Sequence, residues 1–235
     1  MIPLRDDIRS RTRPVVNGTI IVACTLVFFW QLSLGRHGFE AAAISLGTIP
    51  ATLVGGARLP AELYAVPPVV TVFTSMFLHG GFLHLIGNML YLWIFGDNVE
   101  DALGHARFVV FYLLCGIVAV LAQALPNSQS EIPMIGASGA ISGVLGAYLL
   151  LYPRAHVLVL IPLGFFSQIV HLPAMVVLGL WFLLQLVSSA FADPAAGGIA
   201  FSAHIGGFVA GMALVPVFRR RSPLVRSRIS RRYRD

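Results

Sequence analysis

The sequence has 235 residues, of which 57% are hydrophobic and only 11% are charged. A soluble domain carries about 25% charged residues, so this composition excludes an ordinary soluble domain and indicates a protein that crosses a membrane several times. The net charge of +6 comes from arginines concentrated near the two ends of the chain. That distribution is typical of membrane topology signals and not of a nucleic-acid-binding surface, so no nucleic-acid partner is expected.

The arginine distribution predicts which side of the membrane each terminus occupies. Four arginines lie before residue 14 and eight lie from Arg219 onward. Because basic residues beside membrane spans remain in the cytoplasm, we expect both termini to be cytoplasmic, in the plasma membrane of a prokaryotic cell. The basic ends are also expected to contact anionic membrane lipids. The chain then divides into a cytoplasmic N-terminal segment 1–14, a membrane domain 15–218 and a basic cytoplasmic tail 219–235, which is expected to be disordered from about Ser222 onward.

Apolar runs between these ends predict an all-α membrane protein, a bundle of six transmembrane helices. The hydrocarbon core to be crossed is about 30 Å thick. The predicted spans are Val15–Leu34, Val69–Phe95, Ala106–Leu125, Ser138–Tyr152, Pro173–Ala190 and His204–Phe218. The polar run that begins at Gly96 and Asp97 is expected to end the second span. Segment 35–68 is predicted to be a structured outer loop, and the apolar stretch 157–172 is predicted to lie along the inner interface.

The sequence predicts neither a disulfide nor a metal or cofactor site. Cys24 and Cys115 both lie inside apolar runs, where a thiol acts as a packing residue. His79 and His84 have four residues between them and no accompanying glutamate, which does not match the helical histidine pair of a zinc peptidase. We therefore expect no cofactor.

A stretch of small residues surrounds Ser138 at the start of the fourth span. A hydroxyl at a helix N-terminus lies beside free backbone N–H groups, which favour developing negative charge, so Ser138 is a candidate nucleophile. Gly139 and Gly143 form a pair of small residues four apart, which is equally typical of close helix packing. This stretch alone leaves both interpretations open.

The direction of the spans brings several polar residues to one depth. Spans two, four and six all run inward, so their N-terminal ends lie toward the outer face. His79, His84 and Asn88 lie early in span two, Ser138 begins span four and His204 begins span six. Since polar and ionisable residues inside a membrane are costly and usually functional, their coincidence favours a site over chance packing.

This layer contains the groups that acyl transfer requires. Ser138 needs a base to accept its proton, and His204 is the titratable side chain available at the same depth. A tetrahedral intermediate needs hydrogen-bond donors, which His84 and Asn88 can supply. The loops on the outer side contain the acids Glu40, Glu62, Glu131 and Asp193. An ionised carboxylate beside lipid would be costly, so we predict a Ser-His dyad without an acid.

Three motifs in this part of the chain resemble those of the rhomboid intramembrane serine proteases. The motifs are Gly136-x-Ser138-Gly139, His79-x4-His84-x3-Asn88 and Ala203-His204-x2-Gly207-x3-Gly211. They occur in the family's order, and the resemblance extends from about Val69 to Val217. Each motif alone is weakly specific, but all three on a six-span topology are highly specific.

The resemblance implies a role for each residue of these motifs. Ser138 would be the nucleophile, and His204 the general base and acid. The oxyanion hole would consist of His84, Asn88 and the Ser138 backbone N–H, with His79 supporting it. The small residues would permit close packing of span six on span four, and they are Gly136, Gly139, Gly143, Gly207 and Gly211.

The sequence departs from the family pattern at two places. Some rhomboids have an aromatic residue four positions after the nucleophile, stacked on the catalytic histidine, and here that position is Ser142. The family's Trp-Arg motif of the first outer loop is absent between Gly35 and Val70. His204 must therefore be held by contacts that the sequence does not reveal.

We therefore predict an intramembrane serine endopeptidase. By the resemblance, its substrates are single-span membrane proteins, cut in or near their transmembrane segments. One alternative is a non-proteolytic protein of the same fold that binds membrane clients. Another is a small transporter that uses the His/Asn layer as an ion site, which would require polar residues to continue below Asn88, where 89–95 is apolar.

Overall fold

The computed structural model describes residues 1–163, 166–191 and 199–220. Within those residues the chain is mostly helical. The helices are α1 (Val15–Ser33), α2 (Gly35–Leu46), α3 (Pro50–Leu53), α4 (Pro68–Thr74), α5 (Phe82–Leu103), α6 (His105–Ala124), α7 (Ser138–Leu151), α8 (Ala174–Phe191) and α9 (Phe201–Phe218). The strands are β1 (Ile2–Asp6), β2 (His156–Leu163) and β3 (Phe166–Pro173), and short 3-10 turns cover Ala61–Leu63 and Ser75–Phe77.

Helix α7 is the central element of the bundle. Every residue from Ala140 to Tyr148 is buried, because the helix is apolar on all sides and such helices belong in a core. It packs against α9, α6 and α5. The serine at its first position is therefore attached to the most enclosed helix of the protein.

Glycines allow α7 and α9 to pack in direct backbone contact. A Cβ atom on Gly207 would collide with the carbonyl oxygen of Gly139, and a Cβ on Gly211 would collide with that of Gly143. Such close approach is what small residues spaced four apart permit between membrane helices. These glycine contacts hold the first turns of α7 and α9 side by side.

The membrane character of the fold is confirmed, but the number of six spans is not. Four helices within the described residues, α1, α6, α8 and α9, are long and apolar enough to cross a membrane. A fifth span results if the bent pair Ala61–Phe77 and Phe82–Leu103 is counted as one. Helix α7 has only 14 residues, which is short of the length of an ordinary span.

The second predicted span, Val69–Phe95, is wrong as a single helix. The chain is helical to Thr74, continues as a 3-10 turn and is then extended at Leu78, before α5 begins at Phe82. The two parts are bent by 80°. The break is stabilised because the freed backbone N–H of His79 donates to Gln31 Oε1 at 3.0 Å. His79 therefore precedes α5, whereas His84 and Asn88 lie on it.

Helix α5 also continues beyond the predicted end at Gly96 and Asp97, as far as Leu103. Its acidic residues are tolerated because they pair with the N-terminal part of the chain. Glu100 is fully buried, and its carboxylate accepts the backbone N–H groups of Val16 and Asn17 at 3.0 and 2.7 Å. These are free donors of the first turn of α1, so Glu100 caps that helix.

The predicted interfacial stretch 157–172 is a β-hairpin, which an all-α prediction missed. Strands β2 and β3 pair antiparallel, and β1 pairs antiparallel with β2 to make a three-stranded sheet. Val157 and Val159 are fully buried, as expected for alternate β-branched residues that face a core. The hairpin connection at 164–165 lies outside the described residues.

The remaining predicted boundaries agree with the structure or fall outside the part that it describes. Helices α1, α6 and α8 match their predicted spans closely, and α9 begins at Phe201, three residues before the predicted start. The predicted outer loop 35–68 contains α2 and α3. Residues 221–235, most of the predicted basic tail, lie outside the described residues.

Candidate active site

The loop that leads into α7 and Ser138 contains a glycine, Gly136, in an unusual backbone conformation. Gly136 has a φ of +121°, a conformation that L side chains rarely adopt. Its backbone N–H donates to the carbonyl of Ser75 at 2.9 Å. A Cβ at Gly136 would lie 2.7 Å from the imidazole of His84. A glycine is therefore required at position 136 for two reasons. Other residues rarely adopt this φ, and the His84 ring occupies the space where a side chain would lie.

Ser138 and His204 are joined directly by a hydrogen bond. Ser138 Oγ lies 2.9 Å from His204 Nε2. The serine is the first residue of α7 and the histidine is in the first turn of α9, so the glycine contacts between these two helices bring the side chains together. This is the distance at which a base can accept the proton of a hydroxyl.

His84 and Asn88 present donors on the other side of the loop. The backbone N–H of Gly80 approaches His84 Nδ1 at 3.4 Å, so the neutral ring carries its proton on Nε2. That atom faces Gly136, as does the Asn88 amide nitrogen, 3.5 Å from the position of a Cβ there. Asn88 Nδ2 is buried without a hydrogen-bond partner among the described residues. An unused buried donor is costly, and one beside a candidate nucleophile can serve a transient acceptor.

His79 lies beside His84. Its side chain is fully buried, and its ring lies edge-on to His84 with the ring centres 5.2 Å apart. His79 Nδ1 lies 3.3 Å from the carbonyl of Phe77. All five polar residues predicted to converge therefore lie around the first turn of α7.

The three outer acids that the structure describes do not lie at the histidine. Glu40 pairs with Arg36 at 3.4 Å on the surface, and Glu62 and Glu131 are exposed. Asp193 lies outside the described residues. The second ring nitrogen of His204, Nδ1, instead lies 2.8 Å from Gln185 Oε1.

A family model of the rhomboid domain matches residues 67–221. The chain belongs to the rhomboid family. The matched range contains the serine, all the polar residues around it and both packing helices, so this site lies in the part of the chain that the family defines.

Named relatives of this rhomboid chain come from bacteria, plants and animals. The chain is 44% identical over 78 residues to the rhomboid protease GluP of Bacillus subtilis, which is 33% of the chain and 15% of that protein. It is 41% identical over 78 residues to RHOMBOID-like protein 5 of Arabidopsis thaliana, which is 33% of the chain and 25% of that protein.

A longer match covers more of the rhomboid domain. The chain is 30% identical over 160 residues to the presenilin-associated rhomboid-like protein A, mitochondrial, of Danio rerio, which is 65% of the chain and 39% of that protein. The chain thus spans less than half the length of these curated relatives. Since one of them is mitochondrial, the family does not indicate which membrane holds this protein.

Ser142 does not take the place of the aromatic residue that some rhomboids have there. Its hydroxyl donates to the Ser138 carbonyl at 2.6 Å, within α7. The aromatic neighbour of His204 is Trp181 of α8, with ring centres 5.9 Å apart and planes inclined by 33°. The sequence patterns predict neither Trp181 nor Gln185 as a neighbour of His204. A usable signal existed, because Gln185 is the one amide in the apolar run 174–191.

Proposed function

We propose that this rhomboid protein is an intramembrane serine endopeptidase that uses Ser138 and His204 as a catalytic dyad. The observation that carries the proposal is the 2.9 Å contact between Ser138 Oγ and His204 Nε2 at the junction of two tightly packed helices. Close packing at this junction requires only small residues. It does not require a hydroxyl that is hydrogen-bonded to an imidazole.

Each step of peptide hydrolysis has a group in place. Ser138 Oγ attacks the scissile carbonyl while His204 Nε2 accepts the serine proton. The negative oxygen of the tetrahedral intermediate accepts hydrogen bonds from His84, from Asn88 and from the Ser138 backbone N–H, which is free at the first position of a helix. His204 then gives its proton to the leaving amine, and the acyl-enzyme is hydrolysed by a water that His204 activates in the same way.

The proposed substrates are single-span membrane proteins, cut in or near their transmembrane segments. The site is held by the most enclosed helix of the bundle and is flanked by apolar helices, α8 among them, whose outer residues suit contact with lipid. A peptide that reaches it must present an unwound backbone, because the carbonyl of a regular helix is already hydrogen-bonded. Surrounding membrane lipids are the other proposed partner.

The proposed orientation has both termini in the cytoplasm. The proposed division of the chain remains a segment 1–14, a membrane domain 15–218 and a basic tail 219–235. In the structure, β1 lies at the end of α7 opposite Ser138, so this orientation directs the site toward the outer face of the membrane.

Labelling with a fluorophosphonate serine probe in liposomes tests this proposal. We expect the probe to modify Ser138 in the wild type, and Ser138→Ala and His204→Ala to abolish both labelling and cleavage of a single-span test substrate. Ser142→Ala is the matched control, since it removes a hydroxyl from the same helix, and it should keep both. Labelling that persists in Ser138→Ala, or a folded wild type that is neither labelled nor active, would overturn the protease function and leave client binding as the explanation.

A further inference from the structure

We propose that Gln185 is the positioning residue of the catalytic histidine, and that its amide oxygen fixes the tautomer that lets His204 act as a base. This inference rests on the proposed protease function. It assigns to an uncharged side chain on α8 the orienting task that a buried carboxylate performs in soluble serine hydrolases.

The direction of the Gln185 amide follows from its two hydrogen bonds. Its nitrogen, Nε2, lies 3.4 Å from the carbonyl oxygen of Trp181, to which only the NH₂ end can donate. The oxygen, Oε1, therefore faces His204 Nδ1 at 2.8 Å. An amide turned the other way would set two carbonyl oxygens against each other.

This amide direction determines which ring nitrogen carries the proton. A neutral imidazole has one N–H and one acceptor nitrogen. Because Oε1 can only accept, Nδ1 is the donor and Nε2 keeps its lone pair toward Ser138 Oγ. That tautomer is the one that general-base catalysis requires. After proton transfer Nδ1–H still donates to Oε1, so the charged ring keeps the same position.

Trp181 fixes the plane of the ring that Gln185 orients. Trp181 and Gln185 are four residues apart on α8, and they face His204 and Phe208, which are four apart on α9, so each pair shares one helix face. The indole lies 5.9 Å from the imidazole and 6.0 Å from the Phe208 ring, at small inclinations of 33° and 31°. The aromatic contact of His204 thus comes from α8, whereas Ser142 of α7 has no ring to provide one.

A neutral acceptor suits this location better than an acid. The residues on either side of Gln185 in α8 are exposed on the surface of the bundle, where lipid would surround them. They are Leu183, Leu184, Leu186 and Val187. An ionised carboxylate beside lipid carries a large desolvation cost, which an amide avoids. The amide still provides a directional acceptor.

The test compares Gln185→Leu, Gln185→Asn and Gln185→Glu with the control Leu184→Ala on the exposed side of the same turn. The measurements are kcat and KM on a single-span substrate in liposomes, the rate of Ser138 labelling by a fluorophosphonate, and thermal stability in detergent. We expect Gln185→Leu to lower kcat and the labelling rate about 10- to 100-fold, below the 10⁴-fold loss of a wrongly fixed tautomer, with KM changed less than about twofold. Gln185→Glu can accept the same bond but carries the desolvation cost of a carboxylate beside lipid, so it should recover only part of that loss.

Gln185→Asn keeps the amide but is one methylene too short to reach Nδ1, so it tests the same contact in a variant with smaller packing changes. We expect it to lower kcat as Gln185→Leu does. Wild-type kcat and labelling in folded Gln185→Asn or Gln185→Leu would overturn the inference. Failure of the protease proposal is distinguishable, because the wild type would then lack Ser138-dependent labelling altogether.

Discussion

The Asp6 carboxylate in β1 accepts a hydrogen bond from the Tyr148 hydroxyl of α7, with the two oxygens 2.5 Å apart. The same carboxylate oxygen accepts from Asn98 Nδ2 of α5 at 2.9 Å. Tyr148 is ten residues after Ser138, or about three helical turns. Strand β1 is therefore hydrogen-bonded to α7 near the end of that helix that lies away from the candidate nucleophile.

The Asp6 contact predicts a pH-dependent stability. Burial raises the pKa of Asp6 to about 6, the Tyr148 hydrogen bond opposes that shift, and the nearby carboxylates of Asp97 and Asp7 add to it. Between pH 4 and 6 the folded protein therefore binds more protons than the unfolded chain, so the free energy of unfolding falls as the pH rises through this window. Asp6→Asn keeps an acceptor for Tyr148 without the charge.

We expect Asp6→Asn to gain stability over the wild type as the pH rises from 4 to 6, by roughly 1 kcal/mol once solvent screening of a half-buried carboxylate is considered. Above pH 6 the gain should be constant. Unfolding in detergent across this range measures it, with the exposed Glu131→Gln as the control. Parallel stability curves for Asp6→Asn and the wild type would contradict the prediction.

Gly207→Val and Gly211→Val should separate α9 from α7. Each added side chain would meet a backbone carbonyl, of Gly139 or Gly143, which cannot move aside as a flexible side chain can. We expect a loss of about 1–3 kcal/mol or more in each variant, together with loss of Ser138 labelling. Gly179→Val on α8 is the matched control, because nothing lies within 4 Å of a Cβ at that glycine. Unchanged thermal stability in both α9 variants would refute the packing argument.

Asn88→Ala should lower kcat by about 10²–10³-fold, the usual loss for one oxyanion donor. Its Nδ2 has no partner among the described residues, so removing it should cost little stability. Steady-state kinetics in liposomes and a thermal melt separate these two effects. Asn127→Ala, which removes an amide that donates to the carbonyl of Gln123 near the end of α6, should keep normal kcat. A pure rise in KM in Asn88→Ala would show that the amide binds substrate and does not stabilise the transition state.

The structure also sharpens the prediction of membrane orientation. Asp6 contacts Asn98 on α5, and the backbone N–H of Arg220 donates to the carbonyl of Ala102 on the same helix at 3.0 Å. The two ends of the described chain therefore lie at one end of the bundle. Reporter fusions after residue 14 and after Arg221 should both indicate the cytoplasm. A fusion within 126–135 should indicate the opposite side of the membrane. A cytoplasmic signal from 126–135 would reverse the proposed orientation of the site.

The convergence of the site could be predicted because it depends on spacing and on the direction of the spans. Ser138 and His204 each lie in the first turn of an apolar helix, and two helices that run the same way place their first turns at one depth. Glycines at intervals of four then indicated which helix faces pack together. These relations are properties of the sequence and need no knowledge of loop conformation.

The contacts of His204 Nδ1 could not be predicted in the same way. They depend on the rotation of α8 about its axis, and an almost uniformly apolar helix offers little information on its rotation. The hairpin was missed because an apolar run of eight residues fits a strand or a buried helix equally well. The break before α5 depends on Gln31, a residue some 50 positions away that supplies the missing backbone partner.

The sheet imposes an order on the assembly of this protein during its synthesis. Ile2 pairs with Leu160, so β1 emerges from the ribosome long before its partner strand exists. At a synthesis rate of about 5–20 residues per second, β1 remains without its partner strand for roughly 8–30 s. Pairing of the N-terminal strand therefore follows synthesis of the helix that carries the nucleophile, and a bulky fusion immediately before Ile2 would act on a step that comes after α7 has been made.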